Sequence, residues 1–178
     1  MKWARRIMLI VGVLAMAAGI FLLLNLAAPV ISTKKDITKI SVTKSDQIVI
    51  PEVGISAPIV AGGSEALEKG AWHRFPERGN PVDGGNMILS AHSFIFAWNP
   101  LQTRENSYFY NLHKLNVGEK VYVDWQGKRY TYKVSKMYEV KPNAVDIEAP
   151  SKDAHLTIYT CTPGGSADGR VVVEAIPE

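Results

Sequence analysis

From Ile7 to Leu24 the chain carries no polar or charged side chain, and after Asn25 the apolar run resumes through Leu26-Ala27-Ala28. No other feature restricts the fold as strongly. In hydrocarbon every backbone N–H and C=O must find its partner within the protein, so a lone apolar segment of this kind is stable there only as a helix. At about 1.5 Å rise per residue it is just long enough to cross a hydrocarbon core of roughly 30 Å. Lys2, Arg5 and Arg6 precede it, which predicts a cytoplasmic N-terminus and an exterior location for the C-terminal bulk of the chain, while Lys34 and Lys35 on the far side weaken that asymmetry. A cleaved signal peptide is the competing reading. Its apolar region normally spans only about 7–15 residues, and here Pro29 directly follows the Ala27-Ala28 pair, so an uncleaved anchor is expected. The expected organisation is a basic cytoplasmic end over 1–6, a transmembrane helix over 7–28, an extracytoplasmic stalk over 29–46 and one folded domain over 47–178.

Lys2, Arg5 and Arg6 also account for the whole formal net charge of +3, so the remaining seventeen basic residues balance seventeen acidic ones. With no basic stripe left on the exterior domain, nucleic-acid binding and strong attraction to anionic lipid lose their electrostatic support. About 130 residues make one domain of common size that can bury a core without disulfides or metals.

Short apolar and β-branched runs separated by Pro and Gly predict a mainly β domain. Gln47 to Ile50, Val53 to Val60 and Met87 to Leu89 read as strands, the last opening from the turn-forming Asp83-Gly84-Gly85-Asn86. Val121, Val123 and Trp125 alternate with polar or aromatic neighbours, and Gln126-Gly127 turns the chain into Tyr130, Tyr132 and Val134, which is a hairpin pattern. Leu156 to Cys161 and Arg170 to Ile176 complete the set. Helical signals are confined to Ser64 to Lys69 and Ser107 to Leu115. The expected architecture is a closed or nearly closed barrel that hides its strand edges.

Cys161 is the only cysteine, ends the run Leu156-Thr157-Ile158-Tyr159-Thr160-Cys161, and belongs to the part expected outside the cell, where unpaired thiols are uncommon. It is therefore a candidate reagent. A thiol nucleophile needs a proton partner, and of His73, His92, His113 and His155 only His92 has a telling context, following the strand Met87-Ile88-Leu89-Ser90-Ala91 and leading into a long aromatic loop, Ser93 to Asn106. His73 is expected in a loop, His113 in a short helix and His155 just ahead of the cysteine strand, each as an ordinary hydrogen-bonded or surface residue. Their spacing matches no zinc signature, and neither a metal nor another cofactor is expected. Arg170 opens the last strand after the turn Gly164 to Gly169, so two strands joined there bring Cys161 and Arg170 to one sheet edge. A guanidinium that never deprotonates is suited to a carbonyl oxygen gaining negative charge. Taken alone, Arg170 would be a surface residue paired with Asp168.

The segment Leu156 to Cys161 resembles the Thr-Leu-x-Thr-Cys signature of the sortases, and Cys161, His92 and Arg170 resemble their catalytic trio. Gln47 to Pro51, Gly85 to His92, Tyr108 to Leu115 with Gly118 to Val121, and Tyr130 to Val134 resemble further sortase segments, so the likeness covers nearly everything from residue 47 onward. Two departures are Ile158 in place of the usual leucine, a volume-conserving change, and Ala91 where a glycine commonly precedes the histidine.

The resemblance implies an eight-stranded sortase-type β-barrel and a cysteine transpeptidase, with Cys161 cutting a C-terminal sorting signal of the Leu-Pro-x-Thr-Gly type between Thr and Gly. A thioacyl enzyme results, and an amine from a peptidoglycan precursor or from another protein resolves it. The implied partners are sorting-signal-bearing surface proteins or pilins and the amine acceptor, with the membrane reached through the N-terminal anchor. Thr160, beside the nucleophile, is implied as an oxyanion or substrate contact. The stretch Glu139 to Ala154 is expected to set substrate choice, and the short Cys161-to-Arg170 connection argues against sortase classes with a long insertion there. Three alternatives stand beside this reading. Cell-wall cysteine crosslinkers usually carry a Ser-x-Gly-Cys turn, absent here, and papain-like proteases place their cysteine at a helix start. The third is a non-catalytic, membrane-anchored β domain, an adhesin or scaffold, in which Cys161 is only a small buried hydrophobe.

Overall fold

The computed structural model describes residues 2–30 and 45–178. Most of the stretch expected to be a stalk lies outside the described residues. Helix α1, Lys2–Ala27, contains the whole apolar run from Ile7 to Leu24. It is long and apolar enough to cross a membrane, and none of its most apolar stretch is buried against the protein.

The rest of the described chain is built on nine strands. They are β1 Gln47–Ile50, β2 Ile55–Val60, β3 Ala71–Arg74, β4 Gly79–Asn80, β5 Gly84–Ser90, β6 Lys120–Trp125, β7 Lys128–Val140, β8 His155–Thr162 and β9 Gly165–Pro177. Their order is β3-β2-β1-β6-β7-β9-β8-β5-β4, and an added β3–β5 pairing closes eight of them into a barrel, with β4 a two-residue appendage on β5. Among the described residues, closure leaves no long unpaired edge to template aggregation. The expected eight-stranded barrel is what forms.

Local chemistry explains most of the elements. Gln126 and Gly127 both take positive φ (50° and 78°), the primed turn whose twist suits a two-residue hairpin, and β6 and β7 pair from Trp125↔Lys128 to Lys120↔Lys133. The early strand is shorter than Val53 to Val60, because Pro51–Val53 forms a 3₁₀ turn ended by Gly54 in the left-handed region. Strands β3 and β4 are too short to show a period. β4 runs so close to β5 that a Cβ on Gly85, itself at φ 77°, would lie 2.3 Å from the Arg78 carbonyl. Helix α2, Pro100–Asn106, occupies what reads in sequence as part of a loop. The side chain of Asn99 caps it by accepting from the Gln102 N–H, and Pro100 supplies the first helical position. The Gly-rich segment after Cys161 is also no open loop: β9 starts at Gly165, and Thr162 pairs with Gly165 across a tight turn.

Side chains alternate across the sheet. Ile48, Ile50, Met87, Leu89, Val121, Val123, Leu156, Ile158, Val173 and Ala175 point into the barrel and pack with Phe109, Leu112 and Leu115 as the main core. A second, smaller cluster of Ile88, Tyr159, Val172 and Ile147 lies apart from it.

Candidate active site

Strands β9, β8 and β5 lie side by side. β5 and β8 run parallel from Asn86↔His155 to Ser90↔Tyr159. Beyond that pair Thr160 Oγ1 donates to the Ala91 carbonyl at 2.7 Å. The next residues in register are His92, just past the end of β5, and Cys161, the penultimate residue of β8. On the other flank Cys161 pairs with Arg170 across the antiparallel β8–β9 ladder. Leu156 and Ile158 belong to the barrel interior while Tyr159 belongs to the smaller cluster, so the period-2 alternation puts Cys161 on the outer face with Tyr159. Arg170 shares the parity of Val172 in the same way, and His92 that of Ile88.

His92, Cys161, Arg170 and Thr160 all line one groove of about 270 Å³. Pro142, Ala144, Val145 and Ile147 line it as well, within the stretch expected to govern substrate choice. Cys161 is unpaired and half-buried, neither sealed in the core nor free on the surface. A second, larger groove of about 630 Å³ meets the first at His92 and Cys161 and runs past Phe94, Ile95, Tyr110 and Ser166. Cys161 thus has open space on two sides.

His92 and Arg170 are held by neighbours. His92 Nε2 lies 3.0 Å from Glu68 Oε1. Arg170 Nη1 donates to the Ser166 and Gly169 carbonyls at 2.8 and 2.9 Å, which ties the guanidinium to the tight β8–β9 turn. Asp168 does not serve Arg170 here; its carboxylate accepts from Thr162 Oγ1. Thr160 is buried with its proton committed to Ala91. Ala91 keeps a negative φ, so the alanine at this point imposes no backbone strain.

The groove floor is charged, which the sequence did not announce. Arg74 Nε lies 2.7 Å from Glu148 Oε1, its Nη2 donates to Oε2 at 3.3 Å, and Tyr159 Oη donates to the same carboxylate. Arg78 bonds the Glu148 carbonyl. Burial and the Glu148 carboxylate push the Tyr159 hydroxyl well above the ordinary tyrosine range. Glu148 sits in a 3₁₀ turn at Asp146–Glu148, more than seventy residues from Arg74, and no local signal could have paired them. Glu68 was missed for the same reason.

The other histidines keep structural roles. His73 is not in a loop: it stands on β3, buried, with Nε2 3.1 Å from the Gly79 carbonyl and its ring edge-on to Trp125. Burial lowers its pKa. His113 lies in the 3₁₀ turn Leu112–Lys114, as expected, whereas His155 is the first residue of β8 itself and does not precede it.

Comparison with known proteins agrees with this fold. A family model described as a sortase domain matches residues 48–178. Sortase A of Staphylococcus aureus (strain NCTC 8325 / PS 47) is 31% identical over 118 residues, covering 64% of this chain and 53% of that protein. Sortase A of Streptococcus agalactiae serotype III (strain NEM316) is 32% identical over 133 residues, covering 72% of this chain and 50% of that protein. The chain therefore spans about half the length of the curated relatives it matches. Among solved structures, sortase C-1 from Actinomyces oris superposes with a TM-score of 0.64 at 26% identity, covering 83% of this chain and 82% of that one. The lid mutant of Corynebacterium diphtheriae sortase A gives 0.64 at 25% identity over 79% and 73%. With the barrel, the cysteine strand and a family match over nearly all of the described domain, the chain belongs to the sortase family.

Proposed function

We propose that the chain is a membrane-anchored cysteine transpeptidase that cuts a C-terminal sorting signal of the Leu-Pro-x-Thr-Gly type and transfers the protein to an amine. One observation carries this reading: Cys161 and Arg170 on adjacent strands and His92 just past the end of the next strand line a single open groove. Cys161 as thiolate attacks the threonine carbonyl carbon, forming a C–S bond, and Arg170 stabilises the oxygen that gains negative charge. When the C–N bond to glycine breaks, an imidazolium at His92 gives the leaving amine its proton. An amine acceptor, from a peptidoglycan precursor or another protein, then attacks the thioester. It forms the new C–N bond, its proton passes to His92, and the thiolate leaves.

Thr160 acts here as a positioning residue, since its hydroxyl proton holds the nucleophile's strand to the histidine's strand. The two grooves on either side of Cys161 suit the two halves of the reaction, with the sorting peptide along 142–147 and the amine approaching from the side of Phe94 and Ser166. Helix α1 spans the membrane with Lys2, Arg5 and Arg6 on the cytoplasmic side, and the barrel stands outside, where tethering raises the effective concentration of membrane-paused substrates. A scaffold role with Cys161 as packing is disfavoured by the residue's place on a groove wall.

The test is to incubate the chain with a panel of sorting peptides and amines and to weigh the products. Expected are a peptide–amine conjugate and a thioester adduct on Cys161. A Cys161→Ala protein that still joined the pair at the wild-type rate would end the proposal.

A further inference from the structure

We propose that the loop and helix after His92 form a lipid-contacting foot, in which Phe96, Trp98 and Leu101 enter the interfacial layer of the membrane that α1 crosses. This rests on the anchor reading above and adds a second point of contact. All three side chains are exposed, Phe96 at 51%, Leu101 at 57% and Trp98 at 90%. From Ser93 to Thr103 the segment carries no charge. An isolated exposed apolar side chain needs no explanation, but three within six residues, one of them a nearly bare tryptophan, form a patch that does.

The position of that patch relative to α1 identifies what covers it. Asn25 is the one polar residue between Ile7 and Ala28, and an amide turned toward hydrocarbon would be costly. Asn25 is instead buried, and its Oδ1 accepts from Thr103 Oγ1 of α2 at 2.8 Å. The same Thr103 hydroxyl accepts from the Ala97 N–H at 3.0 Å. Ser107 Oγ accepts from the Ile95 N–H and donates to the Thr103 carbonyl. Loop, α2 and the end of α1 are thus one hydrogen-bonded unit. Asn25 lies three residues before the apolar run ends, about 5 Å along the axis, so α2 sits level with the place where α1 leaves the hydrocarbon. That is the depth at which tryptophan is enriched in membrane proteins, with its ring in the headgroup layer.

Seating this foot also orients the enzyme. Phe94 and Ile95 of the same loop, with Leu26 of α1, line the larger groove that reaches Cys161. That groove then opens beside the lipid surface, within reach of an acceptor that is itself membrane-bound.

The test uses the full chain reconstituted in phosphatidylcholine–phosphatidylglycerol vesicles. Flotation reports the anchor, and the difference in fluorescence between the wild type and Trp98→Phe isolates the Trp98 signal. The expected result is a floating protein whose Trp98 emission is blue-shifted, quenched about two-fold by lipids brominated near the glycerol and little affected by aqueous iodide. A floating protein whose Trp98 is quenched by iodide and not by brominated lipid overturns the foot while leaving the anchor intact. Shielding from both quenchers also overturns it, because a second copy or another protein would then cover the patch. A chain that does not float removes the anchor reading and the foot with it.

Discussion

The two faces of β8 are held in place by different physics. Inward, Leu156 and Ile158 join a core made almost wholly of aliphatic and aromatic side chains. Outward, Thr157 bonds Asn86 Oδ1 at 2.8 Å, Tyr159 bonds Glu148, and Cys161 meets a groove. One face is held by apolar burial, which is non-directional and tolerant of shape-conserving exchange. The other is held by directional bonds between groups that are costly to bury unpaired. Alternation along a single strand thus separates the part that keeps the barrel together from the part proposed to do chemistry.

Substitutions on the two faces should therefore fail in different ways. The largest effect is expected from Cys161→Ala: peptide joining falls to background in a mass-based assay, while urea unfolding shifts by less than about 1 kcal/mol, as for a residue off the core. Its inward neighbour should do the opposite. Ile158→Ala should cost about 2–5 kcal/mol of stability in urea titration, with joining per folded molecule largely kept. If Ile158→Ala removed activity without loss of stability, the division between the faces would be wrong.

On the outer face, Glu148→Ala leaves Arg74 and Tyr159 without their shared carboxylate. It should cost about 1–3 kcal/mol, the scale of losing hydrogen bonds to a charged group, and an Arg74→Met, Glu148→Leu pair should recover part of that, because the half-buried guanidinium left without its carboxylate is what destabilises. Thr160→Val keeps volume but strips the Ala91 carbonyl of its partner. A loss of about 1–3 kcal/mol is expected, together with a drop in kcat larger than in Ile158→Val, since this bond aligns the two strands that carry His92 and Cys161.

The smallest expected effect belongs to His73. Burial holds its folded pKa below the ordinary 6.5. The unfolded chain therefore takes up a proton first as pH falls, so stability is complete above about pH 6.5 and declines below it. Urea midpoints between pH 8 and pH 5 should show this decline, and His73→Gln should flatten it.

Much of the barrel was legible before any coordinates. Alternation in 120–125 and 130–134, the Gln126-Gly127 turn and the β-branched final strands are local signals, and all became strands. Strands β3 and β4 were invisible because four and two residues are too few to show a period. Helix α2 was overlooked although Asn99-Pro100 is a start signal, because its aromatic surroundings carry no helical stripe. Cys161, His92 and Arg170 stood out by residue type and context, and they do line one groove.

By itself the sequence determined the apolar helix, the two-residue period that separates core from surface, and the single thiol that stands as candidate nucleophile, since each depends on residues close together in the chain. Only the tertiary structure decided that Glu68 would meet His92, that Arg74 and Glu148 would pair beneath Tyr159, and that Asn25 would bury its amide against Thr103. Those contacts join residues up to seventy-eight positions apart. The first two exist because the barrel brings β3 against β5 and β5 against β8, and the third because α1 packs on α2, outcomes no local pattern encodes.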